Sequence, residues 1–415
     1  MKFLCGFTMA LLLGWTPTLQ AEDWARFRGA SGRGLGKGSD IPTSLSEATA
    51  LWKISLKGTG HSSPVVVGQK LFYTVTPKAN PKQRDVVCVS TNDGKELWRK
   101  SFGFSEYNLH QFNSPSSTSP TADEERVYVW WHDGEKSQAF ALDHQGESVW
   151  RQALGRFESA HGGGSSVVVA DGVLIVQKEN ISAESSIFGL DAATGKKLWE
   201  TPVPVKEIRK TPYVTPVIRD TDTGMEAIFA STDNGIFSLQ VKTGAFRWKF
   251  DAKFEHRVVA SPVVVGDLIF ASCGGGGGGK DSVVIEAPAG ASKVKALYRL
   301  SKQLPYVPTG LGIDGRLFLV NDGGVGTCYD VKSGDQLWRE RLLGKCFASQ
   351  IAIGDNIYAF GRDGDYKVFK AAANFELVAE GDLGAGIHAT PAVGDGKLFV
   401  RTDERLLCFQ KAPDA

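Results

Sequence analysis

An excess of charge of either sign is missing from this chain. It carries 47 basic and 46 acidic residues among 415, a formal net charge of +1. That balance offers no field to draw in nucleic acid or an anionic membrane surface, so neither is an expected partner. Long helical patterns are also missing, which points away from helix-based architectures. Long apolar runs are scarce: one follows Lys2, includes Leu11, Leu12 and Leu13, and gives way to Leu19-Gln20-Ala21. It reads as a signal peptide over residues 1–21, cut after Ala21, which implies a periplasmic or secreted protein with no transmembrane segment after processing. Cysteine is too sparse for a disulfide framework. Cleavage would leave Cys88, Cys273, Cys328, Cys346 and Cys408, an odd count with at least one unpaired.

Glycine, by contrast, is abundant, at 48 residues. Five segments share one pattern: CVSTNDGKELW, ALDHQGESVW, GLDAATGKKLW, SLQVKTGAFRW and CYDVKSGDQLW. In each, a Gly stands four residues before a Trp: Gly94 and Trp98, Gly146 and Trp150, Gly195 and Trp199, Gly244 and Trp248, Gly334 and Trp338. The spacing predicts a hairpin whose Gly takes the positive-φ turn position and whose next strand carries the Trp inward. A second hairpin lies upstream of most copies, as in PVVVGQKLFYTV from Pro64 and PVVVGDLIFAS from Pro262. Two hairpins make four strands per repeat. Cys88, Cys328 and Cys408 fall where Ala141, Gly189 and Ser238 stand in other copies, so they read as small core residues.

First strands begin near Pro64, Pro120, Ser166, Pro216, Pro262, Gly310, Gln350 and Pro391. The last repeat lacks its outer strand, and ALWKISL from Ala50 supplies it, with Trp52 at the repeat position. The expected fold is therefore all-β: an eight-bladed β-propeller of four-stranded antiparallel blades over residues 50–411, closed by an N-terminal strand. Two units are degenerate, with Tyr298 near one Trp position and Asn374-Phe375-Glu376-Leu377 near another. A seven-bladed ring is the alternative if one of them is an insertion. Residues 22–49 read as a Gly- and Arg-rich arm, pinned across the ring by Trp24 and Phe27.

This pattern resembles the PQQ-like (pyrroloquinoline-quinone-type) repeat family. Its members include quinoprotein alcohol dehydrogenases and the periplasmic propeller lipoprotein of the outer-membrane β-barrel assembly machine. The opening Asp23-Trp24 to Arg28-Gly29 is similar to that of secreted bacterial members of unassigned activity. The resemblance implies that the repeat Trp residues (Trp52, Trp98, Trp150, Trp199, Trp248, Trp338) dock between blades. It also implies, for a dehydrogenase, PQQ, Ca²⁺ and a catalytic Asp in the funnel. The adjacent cysteine pair and the Cys-x-x-Cys-His of such enzymes do not occur here. A non-catalytic exported scaffold that binds a protein or ligand in the cell envelope is thus expected, monomeric and without cofactor, metal or catalytic residues. A PQQ- and calcium-dependent alcohol or sugar dehydrogenase is the alternative.

The connections before the first strands reach one face and the funnel mouth. They hold His61, Asn113, His161, Tyr213, His256, Arg257, Tyr306, Gln350 and His388, the candidate binding residues for a ligand or a protein or peptide partner. Two other motifs carry no such chemistry. Asp220 to Gly224 resembles half a calcium loop without its later carboxylate and reads as a longer polar turn; Gly274–Gly279 lacks the Lys-Ser/Thr of a phosphate loop and reads as a floppy inter-strand loop.

Overall fold

The computed structural model describes residues 23–411 apart from 39–40, 135, 182–184 and 206–209. The expected signal peptide lies outside the described residues. Those residues contain no helix, and none of their segments is a helix long and apolar enough to cross a membrane. They form eight antiparallel sheets. Blade 1 runs outward through Val65–Val67, Lys70–Pro77, Gln83–Ser90 and Glu96–Gly103. Blades 2 to 8 start at Thr121–Ala122, Val168–Ala170, Val217–Arg219, Val263–Val265, Leu311–Ile313, Ile351–Ile353 and Ala392–Gly394. Every expected first strand is present, and the seven-bladed alternative falls. Blade 8 takes its outer strand, Trp52–Ser55, from the N-terminal side, paired antiparallel with Arg405–Phe409.

The repeat motif is an inter-blade lock. Five of the six indole N–H groups, all but that of Trp248, donate across to the outer turn of the next blade. The acceptors are Thr91 O for Trp52, His144 O for Trp98, Ala192 O for Trp150 and Val241 O for Trp199, all at 2.9 Å, and Ala372 O for Trp338 at 3.1 Å. In that turn the repeat Gly lies under the indole. A Cβ on Gly195, whose φ is +73°, would stand 2.5 Å from the Trp150 ring. The Gly therefore serves the turn and the neighbouring Trp together. The Trp side chains point sideways onto the next blade, not into their own sheet, and several stay partly exposed.

The lock also explains three of the cysteines, Cys88, Cys328 and Cys408. Directly across the strand pair from each Trp stands a small residue: Cys408, Cys88, Ala141, Gly189, Ser238 and Cys328. A Cβ on Gly189 would fall 2.0 Å from Trp199. Where the Trp is lost, Val replaces the small residue: Val284 faces Tyr298 and Val368 faces Ala379. Tyr298 still makes the lock, its hydroxyl donating to Val331 O at 2.6 Å. Ala379 has no such turn to reach, because blade 8 is where the chain ends meet. All five described cysteines are free and buried, and burial raises their thiol pKa values.

A second closure runs around the axis. One Ser or Thr per blade precedes the first strand: Ser63, Ser119, Ser166, Thr215, Ser261, Thr309, Ser349 and Thr390. Each backbone N–H donates to the hydroxyl of the next, at 2.8–3.2 Å, and Thr390 returns to Ser63. The N-terminal arm crosses the far end of this ring. Trp24 is buried and bridges to Val66, and Leu35–Gly36 lies parallel to Ile351–Ile353. Arg28 is buried and donates to the carbonyls of Gly32, Thr309, Gln350, Arg33 and Gly310, across blades 6 and 7. Burial pulls its pKa down to about 9, which still leaves it charged at neutral pH. Arg26 and Arg28 thus pin the arm together with Trp24.

Two substitutions separate these closures. Ser261→Ala orphans the Thr215 N–H and should cost about 1–3 kcal/mol in urea unfolding, with Ser261→Thr restoring most of it. Trp199→Ala should cost about 3 kcal/mol by emptying the lock between blades 3 and 4. A Ser261→Ala protein as stable as its parent would show that the axial ring carries no stability.

Candidate functional site

Extended chain enters each blade from the axis, so residues two apart face the same way. Two positions before each ring hydroxyl stands another axial residue: His61, Ser117, Gly164, Tyr213, Val259, Val307, Phe347 and His388. These eight sit between two spaces. Toward the arm is a cavity of about 140 Å³ bounded by the hydroxyl ring and Phe27. Toward solvent is a cavity of about 740 Å³, closed at the sides by the inter-blade connections. Because the arm spans the other end, the mouth cavity is the open end of a blind cup.

His61, Asn113, His161, Tyr213, His256, Arg257, Tyr306 and His388 all line the mouth cavity. Gln350 does not. It follows ring residue Ser349 by one, so the strand alternation turns it into the core, where it is fully buried and its carbonyl holds Arg28. Phe347 is the axial residue of that blade. The sequence reading also missed His110, Phe112, Lys210 and Asp322. The Ser or Thr that opens every blade, followed by Pro in five of the eight, was the available signal for phase, and aligning Ser349 with the others selects Phe347.

The glycine run is not a loose loop. Gly274 pairs with Gly279 across a hairpin whose tip, Gly275–Gly277, lines the cavity. A Cβ on Gly274 would meet Gly278 O and Tyr306, and one on Gly279 would meet Leu304, at 2.5–2.7 Å. The tip presents bare backbone, since Gly276 and Gly277 face open space. The Asp220 to Gly224 segment is a turn between Val217–Arg219 and Glu226–Ser231, tied by Arg247 to Thr223.

On one wall, His61 and His388 stack with ring centroids 4.7 Å apart and planes 17° from parallel. His388 Nδ1 lies 2.9 Å from Asp403 Oδ1, and Arg362 Nε reaches His388 Nε2 at 3.4 Å. Arg362 also lies over Phe112 and Phe347, tying two connections together. Burial pulls His61 down to about 4, helped by His388, Arg401 and Arg362. Burial opposes ionisation of Asp403, yet the hydrogen bond from His388 and the nearby Arg401 keep it below the usual carboxylate range. The ring nitrogens and carboxylate of this trio lie within 4.8 Å of one another. Two near-parallel rings cannot both hold one ion in their planes, so the trio is better suited to hydrogen bonding than to ligation.

On the opposite wall, Arg257 lies over the Tyr213 ring at 5.6 Å, and Lys210 donates to Glu255 O at 2.8 Å. His161 is lowered by burial, then by Arg257 and His110. Asp322 accepts the N–H groups of Tyr306 and Val307, at 2.7 and 3.2 Å. Burial nonetheless raises it to about 6.

Eight four-stranded blades locked by a Gly-x-x-x-Trp repeat define a PQQ-like repeat propeller. A family model described as outer membrane protein assembly factor BamB matches residues 37–272, more than half of the chain, and the chain belongs to that family. No curated protein matches it. Among solved structures it is similar to BamB from Moraxella catarrhalis, 13% identical over 89% of this chain and 99% of that one, with a TM-score of 0.60. A europium-containing methanol dehydrogenase is 11% identical over 94% and 98%, with a TM-score of 0.67. A quinohemoprotein alcohol dehydrogenase from Comamonas testosteroni is 13% identical over 95% and 81%, with a TM-score of 0.62. At these identities the likeness is one of fold.

The fold family brings PQQ and Ca²⁺ into question, and the cavity does not fit them. Calcium takes about six to eight oxygen ligands. Among the described lining residues Asp322 is the one carboxylate, and both its oxygens accept backbone N–H groups. The Asn113 amide donates to His161 O and Gly163 O, and its oxygen accepts Ser114 N–H. Lys210 and Arg257 would repel a cation at the same wall.

The pH response follows from His61. Its folded pKa of about 4 lies below the unfolded 6.5, so its contribution is complete above pH 6.5 and is lost as pH falls through 4. Asp322, raised from 3.8 to about 6, has the opposite sign: its contribution is present below pH 3.8 and lost as pH rises through 6. Urea unfolding of His61→Gln should therefore show a shallower loss of stability between pH 6.5 and 4 than the parent. Parallel pH profiles would remove His61 from the acid response.

Proposed function

We propose that this protein is an exported, non-catalytic binding propeller of the cell envelope that captures a protein partner at the funnel mouth. The observation that carries the reading is the blind cup itself. Side chains from separate blades converge on one cavity of about 740 Å³. Its floor is a closed hydrogen-bonded ring, and its walls mix aromatic rings with polar groups, the composition of recognition sites. The BamB-type family model supports an envelope setting and protein partners. The wall chemistry supports binding over catalysis: His388 is occupied by Asp403 and Arg362, and the described lining residues offer a calcium ion a single carboxylate, Asp322.

The test is capture from envelope extracts of the source cells, read by mass spectrometry. The triple variant Tyr213→Ala, Tyr306→Ala, His388→Ala should lose the specific partner by roughly tenfold or more while melting as one cooperative unit. Dye reduction that depends on alcohol, PQQ and calcium together would overturn the reading in favour of a dehydrogenase.

A further inference from the structure

The mouth cavity has an unbalanced charge. Lys210 and Arg257 line one wall, and Arg362 stands behind Phe112, Phe347 and His388 at the other. Neither Arg257 nor Arg362 has a carboxylate partner among the described residues, although ion pairs are common elsewhere on this protein. The Arg257 Nε is buried without a hydrogen-bond partner. Asp322, the one carboxylate among the described lining residues, forms no ion pair with these cations and instead accepts the N–H groups of Tyr306 and Val307. Asp403 is committed to His388. A guanidinium held beside a cavity with no counter-charge is a site prepared for an anion.

Three further features define the anion's setting. The Gly275–Gly277 tip, beside Arg257, leaves backbone uncovered, so a main chain can approach closely. Across the cavity Phe112 and Phe347 pack edge to face, with ring centroids 5.5 Å apart. Phe112 is 44% exposed, a large apolar surface left open at the rim. One wall thus suits a carboxylate and the other an apolar side chain. The histidines agree with a positive potential, since nearby cations help lower both His61 and His161.

We propose that the mouth cavity recognises an acidic peptide segment of the partner, with a carboxylate at Arg257 and Lys210 and an adjacent apolar side chain on Phe112 and Phe347. This rests on the binding reading above and deepens it. A divalent cation is disfavoured by the same groups.

Fluorescence anisotropy with the intact protein tests it. The probes are a fluorescein-labelled octapeptide of alternating Glu and Phe, its Gln/Phe counterpart and its Lys/Phe counterpart. The acidic probe should bind at least about tenfold more tightly than the other two. Arg257→Ala should weaken it by about tenfold or more, Arg257→Lys should recover part of that, and added salt should weaken it further by screening. Phe112→Ala should weaken all three probes alike. Sodium phenylacetate, a small acid with the same two groups, should compete only at far higher concentration than unlabelled peptide. Equal binding of the three probes, or an Arg257→Ala protein that binds like the parent, would overturn the proposal. Phenylacetate saturating the cavity more tightly than the peptide would overturn it in favour of a small-molecule acid. Loss of all peptide binding while the triple variant still loses its envelope partner would refute the acidic segment and leave the binding propeller standing.

Discussion

The ring of eight N–H to hydroxyl hydrogen bonds around the axis is the constraint on which the rest depends. Each blade gives one donor and one acceptor, and the circle from Ser63 back to Ser63 leaves none over. At the axis the backbone of eight sheets is crowded and partly dry, where an unpaired N–H is costly. A short hydroxyl side chain meets that need without filling the channel. Fixing these atoms fixes the phase of every first strand. It thereby decides which residues face the funnel and which turn into the core.

The outer circumference is held by a different chemistry. A Trp reaches sideways, a Gly receives it, and a small residue across the strand pair leaves room for it. Three positions on two blades must agree, so the motif survives strongly in the amino-acid pattern. Exceptions follow the same logic. Trp248 keeps its packing, yet its indole N–H has no partner, because the outer turn of blade 5 is a longer connection between Glu286 and Lys295. In blade 7 Phe375 stands where the Gly would, and it packs against Trp338 at a centroid distance of 5.3 Å.

This division explains what was legible in the sequence. Blade number, strand starts and closure by Trp52–Ser55 rest on hairpins and alternation, which are local and repeat eight times. The mouth was legible only where chain leads straight into a first strand. Gln350 was misassigned because one residue of phase reverses a side chain, and the Ser/Thr that sets the phase was not used. Phe112, Lys210 and Asp322 could not be found by that route. Their positions depend on how long connections fold over a ring of given diameter, and no local pattern encodes that distance. Cys88, Cys328 and Cys408 stand where small core residues are expected, but their reason, the Trp across the strand pair, needed the register.

The arm gives the cup its asymmetry. Arg28 is a buried cation stabilised by five carbonyl dipoles and, among the described residues, by no carboxylate. Those carbonyls come from blades 6 and 7 and from the arm itself, so seating the arm and holding the blades are one event. With that end covered by the arm, the opposite end is left to function. Side chains there are free to vary, because the hydroxyl ring beneath already satisfies the backbone. Arg257 without a carboxylate partner among the described residues, bare glycine backbone and exposed Phe112 would each be a liability in a core. On the rim of a floor held this firmly they can be kept at little cost in stability, and their presence together is better explained by recognition than by folding.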